Sequence, residues 1–284
     1  MGASHLGYPT KLPQMGRTHQ VSGITKQCSA AASLQFVSIP MITDEILTYV
    51  FDGQSHLLAE SMATWLASSR RFADFVSTFR NKIRKKLRTT AEEENLLDLH
   101  LELETAYLLL QERRLSLEYE PLQAGGGRSP DYAVTYTTSM TFLLEVTRLR
   151  AGQKDTPTEA HPNAPRVDDR LADAICGKLG QLQPQQSNVL LVGNEACPLS
   201  HADLHATLIS LQQRAEGDDE DFWRRYRFRN RAHFFRHYQR LSEILVRNPE
   251  SPGVERAVAW VNGQAKYPLP SKVRTALYRS HAVA

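Results

Sequence analysis

Apolar residues recur at helical spacing from about residue 43 onward. Residues 1–40 show no sustained apolar period and are rich in small and polar residues, so we expect a disordered arm there. One helix is predicted with Thr43 as its cap, and a second over residues 57–68. A third helix has one apolar face, made by Phe72, Phe75, Val76, Phe79, Ile83 and Leu87. The pattern predicts a helical N-terminal region over residues 41–89.

A long helix is predicted next, over residues 90–113. Thr90 and Glu93 have the spacing of a capping box, in which each side chain bonds the backbone of the other residue. The inner face of this helix is predicted to comprise Leu99, Glu102, Ala106 and Leu109. A carboxylate on an apolar face is unusual, because a buried charge needs a partner. Glu102 is therefore a candidate functional residue, with Glu104 as the competing acid.

After Arg114 the apolar period changes to two, which is typical of strands. Strands are predicted over residues 115–120, 131–137, 141–148, 188–192, 241–247 and 257–262. The second and third are close enough in sequence to pair as a hairpin. Helices are predicted over 171–182, after a capping box at Ser200 and Asp203, and after Ser271. This order of elements predicts a mixed α/β or α+β core behind the helical N-terminal region.

Positive charge is concentrated in two segments. The chain has 34 Lys and Arg against 31 Asp and Glu, and this net charge of +3 does not by itself indicate a nucleic-acid partner. Residues 70–88, however, hold eight Lys or Arg and the single acid Asp74, and residues 223–240 hold seven Arg and no acid. The first segment is interpreted either as a solvated helix face or as a phosphate-binding surface.

The second basic segment interleaves arginine with aromatic residues. Its first half contains Trp223, Arg224, Arg225, Tyr226, Arg227 and Phe228. This composition suits contact with the phosphates and bases of a single nucleic-acid strand. The alternative is that the aromatic rings belong to the core and that the arginines pair with the acids at 216–221. The sequence leaves both interpretations open.

Cysteine and histidine give no strong indication of a metal centre or a disulfide framework. The three cysteines form no C-x-x-C pair, and their odd number favours a reducing compartment. Two pairs, His201/His205 and His233/His237, have the spacing of helical zinc ligands, but surface placement is the preferred interpretation. The sequence contains no run of about 18 apolar residues, so no membrane span is predicted. We therefore expect a cytoplasmic protein without membrane association, with a homodimer as one possible oligomeric state.

Two further acids lie in apolar surroundings on the predicted hairpin. Asp131 opens one strand directly after Pro130, and Glu145 lies in the middle of the next. Paired strands can bring these two carboxylates side by side, and a divalent cation between them would make that proximity tolerable. Oxygen ligands favour Mg²⁺ or Mn²⁺ over Zn²⁺.

At these residues the chain resembles the PD-(D/E)XK nuclease superfamily. The resemblance is carried by Ser129-Pro130-Asp131 and by Glu145-Val146-Thr147, preceded by a helix acid and followed by a helix and a strand. It implies a restriction-endonuclease-like core, a central mixed sheet flanked by helices, over residues 90–284. It also implies metal-dependent hydrolysis of phosphodiester bonds in DNA or RNA.

The resemblance assigns roles to individual residues. Asp131 and Glu145 would bind the Mg²⁺ or Mn²⁺ ion, and Glu102 would be the supporting helix acid. Thr147 occupies the usual lysine position, where it can orient a water but supplies no charge. Arg128 is the nearest replacement cation in sequence, whereas Arg148 should point to the opposite face of the strand. The alternative is a catalytically inactive nuclease fold that binds nucleic acid or a partner, with Arg128, Arg148, Arg224, Arg225 and Arg227 as candidate contacts.

Overall fold

The structure is a computed structural model that describes residues 39–90, 92–121, 128–150, 167–195 and 198–282. The expected N-terminal arm and most of the loop before residue 167 lie outside these ranges. All the described residues belong to one compact unit, Ser38–Ala284. Its helices are α1 (Ile39–Phe51), α2 (Ala59–Ser68), α3 (Arg70–Thr89), α4 (Glu93–Gln111), α5 (Val167–Leu179), α6 (His201–Glu216), α7 (Glu220–Tyr226), α8 (Arg231–Tyr238) and α9 (Ser271–Ala282). Its strands are β1 (Leu115–Tyr119), β2 (Tyr132–Tyr136), β3 (Met140–Leu149), β4 (Asn188–Asn194), β5 (Leu241–Arg247) and β6 (Ala257–Val261).

The strands form one mixed sheet in the order in which they occur in the chain. Strands β1, β2 and β3 are antiparallel, β3, β4 and β5 run parallel, and β6 returns antiparallel to β5. Strands β2 and β3 are joined by a three-residue turn, whereas the parallel crossovers pass through α5 and through α6 to α8. The prediction of a mixed α/β architecture is confirmed, and all six strands were predicted.

Helices cover both faces of the sheet. Strand β4 shows this most clearly: Val189 and Leu191 face one apolar cluster, whereas Leu190 and Val192 face the other. The first cluster contains the apolar residues of α1 to α4, so the helical N-terminal region shares its core with the sheet. The second contains those of α5 to α8. No helix in the described ranges is both long and apolar enough to cross a membrane.

Two predicted helix starts are wrong and one is confirmed. Helix α1 begins at Ile39, so Thr43 lies inside it rather than at its cap. The capping box at Thr90 does not form, because the Thr90 hydroxyl donates to the carbonyl of Lys86 at 2.7 Å and ends α3 instead. The Ser200–Asp203 box is present, with the Asp203 N–H donating to the Ser200 hydroxyl at 3.2 Å.

Glycine at position 193 of β4 leaves room for Leu101 of α4. A Cβ atom on Gly193 would overlap the end of the Leu101 side chain, so that side chain would have to move. Glu102 is 7% exposed, and Leu99, Ala106 and Leu109 are buried with it, as the helical period predicts.

Candidate functional site

The hairpin of β2 and β3 brings Asp131 next to Glu145. Tyr132 pairs with Leu144 in the register, so the residue before β2 lies beside the middle of β3. The backbone N–H of Val146 donates to Asp131 Oδ2 at 2.7 Å, which fixes that carboxylate at the strand. The two acids singled out in the sequence are thus neighbours at the edge where β2 begins.

Lys178 joins these two acids from helix α5. Its Nζ donates to Glu145 Oε2 at 2.8 Å and lies 3.8 Å from Asp131 Oδ2. Its side chain is only 14% exposed, so the ammonium group is held largely away from solvent. Sequence reasoning considered only Arg128 as a replacement for the missing lysine. Lys178 was missed because nothing in the local sequence distinguishes it from a surface lysine of α5.

A second lysine holds Glu102. The Nζ of Lys86, in α3, donates to both carboxylate oxygens of Glu102 at 2.7 Å and to Glu120 Oε1 at 3.2 Å. Glu104, the competing helix acid, instead forms an ion pair with Arg247 of β5. Of the two candidate helix acids, Glu104 is thus paired with β5, whereas Glu102 is near enough to Asp131 for that charge to raise its pKa.

Asp131 is electrostatically coupled to both lysine–glutamate pairs. Burial, together with the charge of Asp131, raises the pKa of Glu102 to about 7, although Lys86 opposes the shift. Burial and Asp131 also raise the pKa of Glu145, against the opposing effect of Lys178. Burial lowers the pKa of Lys86, but Glu102 and the other nearby carboxylates outweigh it and raise that pKa above its usual value. Repulsion among the three carboxylates is thus offset by two lysines.

The other predicted residues of the hairpin occupy different environments. Thr147 is half-buried on the same face of β3 as Glu145, and its hydroxyl has no hydrogen-bond partner among the described residues. Arg128 is exposed and near enough to lower the pKa of Glu145, after the larger effect of Lys178. Arg148 points to the other face, as predicted, and its side chain is 3% exposed between Glu94 and Asp98. That enclosure leaves Arg148 unavailable to a phosphate.

The basic segment 70–88 is neither a plain solvated face nor a free phosphate surface. Lys82 donates to the carbonyls of Tyr119 and Glu120, both at 2.8 Å, next to the bonds of Lys86. Arg71 donates to three carbonyls around the start of β1. Arg84 and Arg88 pair with Asp52 of the loop after α1. Most of this charge therefore joins α3 to its neighbours.

The structure bears out part of the second interpretation of the basic segment 223–240, in which the rings belong to the core. Phe228, Phe234 and Tyr238 are buried core residues. Arg224 pairs with Asp221, and Arg225 pairs with Asp173 of α5, which is not one of the acids that the sequence suggested. Arg227 is exposed and has no acidic partner within the described ranges. The aromatic residues mostly pack inward, whereas only part of the arginine charge is neutralised.

A bound metal is a separate question from the presence of the acids. Within the described ranges, no three or more His, Cys, Asp or Glu side chains are grouped so as to hold a metal ion. The acids are divided, because Glu102 faces Lys86 whereas Asp131 and Glu145 share Lys178. Mg²⁺, however, is commonly held by one or two carboxylates together with waters and substrate phosphates. The pair formed by Asp131 and Glu145 fits that smaller requirement.

Comparison with protein-family models, curated proteins and solved structures found no match to this chain. Its function must therefore be inferred from the geometry and electrostatics of the site.

Proposed function

We propose that the chain is a nuclease that hydrolyses phosphodiester bonds in nucleic acid, on a core of the PD-(D/E)XK type. The proposal is carried by one observation: Lys178 lies within ion-pair distance of both Asp131 and Glu145. This restores, from helix α5, the positive charge that Thr147 does not supply. The order α4-β1-β2-β3-α5-β4, with β3 and β4 parallel, is also consistent with the core that the resemblance implies.

Each residue of the site has a role in such a reaction. The Lys178 ammonium group stabilises negative charge that develops on the phosphate, and it does so effectively because it is largely removed from water. Asp131, fixed by the N–H of Val146, orients the groups that enter the site. Glu145, whose Oε2 accepts the hydrogen bond of Lys178, keeps that ammonium group in place beside Asp131.

Asp131 and Glu145 would hold the Mg²⁺ ion. When bound, that ion supplies Lewis-acid polarisation of the phosphate and lowers the pKa of a water. Glu102 acts one step further out: Lys86 neutralises it, and its distance from the hairpin acids is small enough for Asp131 to raise its pKa. Glu102 is therefore proposed as a positioning residue.

A second candidate is a nucleic-acid-binding or interaction module that kept the nuclease fold without its activity. The observation in its favour is that lysines already pair with Glu102 and Glu145, so these carboxylates are neutralised without a metal. The two candidates differ in one outcome, cleavage of nucleic acid in the presence of a divalent cation.

The test is a cleavage assay with single- and double-stranded DNA and RNA in the presence of Mg²⁺ or Mn²⁺ and, separately, of a chelator. Lys178→Met removes the charge and keeps much of the side chain, and we expect it to slow cleavage by about 10²–10³. The matched control is Lys272→Met, an exposed lysine in the first turn of α9, which should cleave at the wild-type rate. Salt-sensitive binding without any cleavage would favour the interaction module. Equal rates for the two variants would reject the role of Lys178.

A further inference from the structure

A pocket opens beside α5. Its volume is about 600 Å³, and it is lined by residues of α5, α7, α8 and the segment between the last two helices. Asp173, Cys176 and Gly177 of α5 lie on its wall, where the helical period places them on one face, and Gly180 follows directly after the helix. Lys178 directly follows Gly177. Volumes of several hundred Å³ are typical of small-molecule sites.

Two glycines leave the wall of this pocket bare. A Cβ atom on Gly177 or on Gly180 would meet nothing within 4 Å, so neither position needs glycine to avoid a clash. Glycine within a helix is less stable than alanine by about 1 kcal/mol. Gly177 therefore lowers the stability of α5, although a side chain at this position would project into open space. Gly177 thus leaves this part of the pocket wall without a side chain.

The pocket lining carries two arginines and one acid, Asp173. Arg225 is held in a fixed orientation, because its Nε and Nη2 donate to the two carboxylate oxygens of Asp173 at 3.0 and 2.7 Å, which leaves its Nη1 without a bond to that acid. Arg227 ends α7 in the left-handed region, with φ of 58°, which non-glycine residues adopt at an energetic penalty. It is exposed and has no acidic partner in the part of the chain that the structure describes. This strained residue thus places an unpaired cation at the pocket.

The histidines at the back of the pocket do not form a cation site. The Arg229 N–H donates to His233 Nδ1 at 3.2 Å, so the ring proton of His233 is on Nε2. That Nε2 lies 3.1 Å from Nε2 of His237, and the two rings form a hydrogen-bonded neutral pair. Burial and the surrounding arginines lower the pKa of His237 to about 4. Because both Nε2 atoms are bonded to each other and Nδ1 of His233 accepts from the backbone, the pair is not arranged to bind zinc.

We propose that this pocket binds a nucleoside phosphate, with the phosphate at Arg225 and Arg227 and the base or sugar against the rings of Tyr226 and His233. The ligand is either a free nucleotide or one nucleotide unit of a bound strand. The inference rests on the proposed function only for its choice of nucleic-acid chemistry. The pocket residues are distinct from the carboxylates of the cleavage site.

The test measures binding by the full chain in a buffer without divalent cations, so that no cleavage occurs. The probes are adenosine 5′-monophosphate and adenosine, followed by calorimetry, and a fluorescein-labelled single-stranded oligonucleotide of ten residues, followed by anisotropy. Gly177→Leu fills the pocket, and Gly177→Ala is its matched control, because both residues are good helix formers. Arg227→Asn removes the charge in a residue that tolerates the left-handed region. Arg113→Asn, at an exposed arginine beyond α4, controls for the loss of one charge.

Gly177→Leu and Arg227→Asn are each expected to weaken nucleotide binding about tenfold or more, whereas their controls bind as the wild type does. Loss of adenosine 5′-monophosphate binding in these variants identifies a free nucleotide as the ligand. If only the oligonucleotide binds, with the same sensitivity to both variants, the pocket takes one unit of a strand. Unchanged binding in both variants, or no binding of either probe by the wild type, would overturn the inference. Asp131→Asn should bind like the wild type, so a failure of the cleavage proposal is seen separately.

Discussion

Replacement of Asp131 by Asn is expected to slow phosphodiester cleavage by about 10³ or more without destabilising the fold. The amide removes the charge that a metal and its waters need. It also retains an oxygen that can accept the 2.7 Å hydrogen bond from the N–H of Val146. The charge of Asp131 raises the pKa of both Glu102 and Glu145, so its removal relieves repulsion within the site. We therefore expect the variant to unfold at the same temperature as the wild type or at a higher one.

Two measurements check this prediction, a cleavage rate and a thermal unfolding curve on the same preparation. When a functional residue is unfavourable for folding, its replacement lowers activity and leaves stability equal or greater, as is common at active sites. A structural acid would give the opposite result, lower stability with unchanged cleavage by the remaining folded protein. If the Asp131→Asn variant cleaves at the wild-type rate, Asp131 has no role in the reaction.

Replacement of Lys86 by Met is expected to lower the free energy of unfolding by about 3 kcal/mol at pH 8 and by much less at pH 5. Lys86 is the partner of Glu102, whose carboxyl is 7% exposed. Without that partner the pKa of Glu102 rises further above its value of about 7, while in the unfolded chain it returns to its ordinary value near 4.5. The folded variant then binds a proton that the unfolded chain releases, so its stability is greatest at low pH and falls as the pH rises through that window.

The measurement is denaturant unfolding of the variant and the wild type at each pH, with the difference between them as the readout. Taking the difference cancels pH-dependent contributions that are common to both proteins. One of these comes from His281, whose buried ring has a pKa lowered to about 4, so that its contribution to the free energy of unfolding is lost as the pH falls. Lys85→Met, at the exposed neighbouring position, is the matched control and should show little change at either pH. The double variant Lys86→Met, Glu102→Gln should recover most of the loss at pH 8, because no unpaired charge stays buried. A loss independent of pH would contradict the proposed pairing.

The fold could be predicted where local sequence determines it. Strand β4 alternates between two apolar cores, and the β2–β3 hairpin joins two strands that are close in sequence, so both were visible as patterns. The proximity of Asp131 and Glu145 was predicted from that hairpin. The capping box expected at Thr90 failed because its hydroxyl found a nearer acceptor in α3, and spacing alone does not reveal that competition.

The lysines of the site could not be predicted, because tertiary packing places them. Lys178 is 33 residues beyond Glu145, and Lys86 is 16 residues before Glu102, each on a different element from its partner. In the sequence, Lys86 looked like one of several basic residues of its helix and Lys178 like a surface lysine. The resemblance pointed to a lysine position occupied by Thr147, but Arg128, the nearest candidate replacement in sequence, is an exposed neighbour of Glu145 and not its partner.

The most direct measurement of the central claim is the single-turnover cleavage rate of the double variant Asp131→Asn, Lys178→Met beside the two single variants. Groups that act together in one reaction have losses that do not multiply, because the first substitution already removes the step that they share. We predict that the double variant cleaves about as slowly as the slower single variant. Losses that multiply, or a single variant that keeps the wild-type rate, would show that Asp131 and Lys178 do not form one catalytic site.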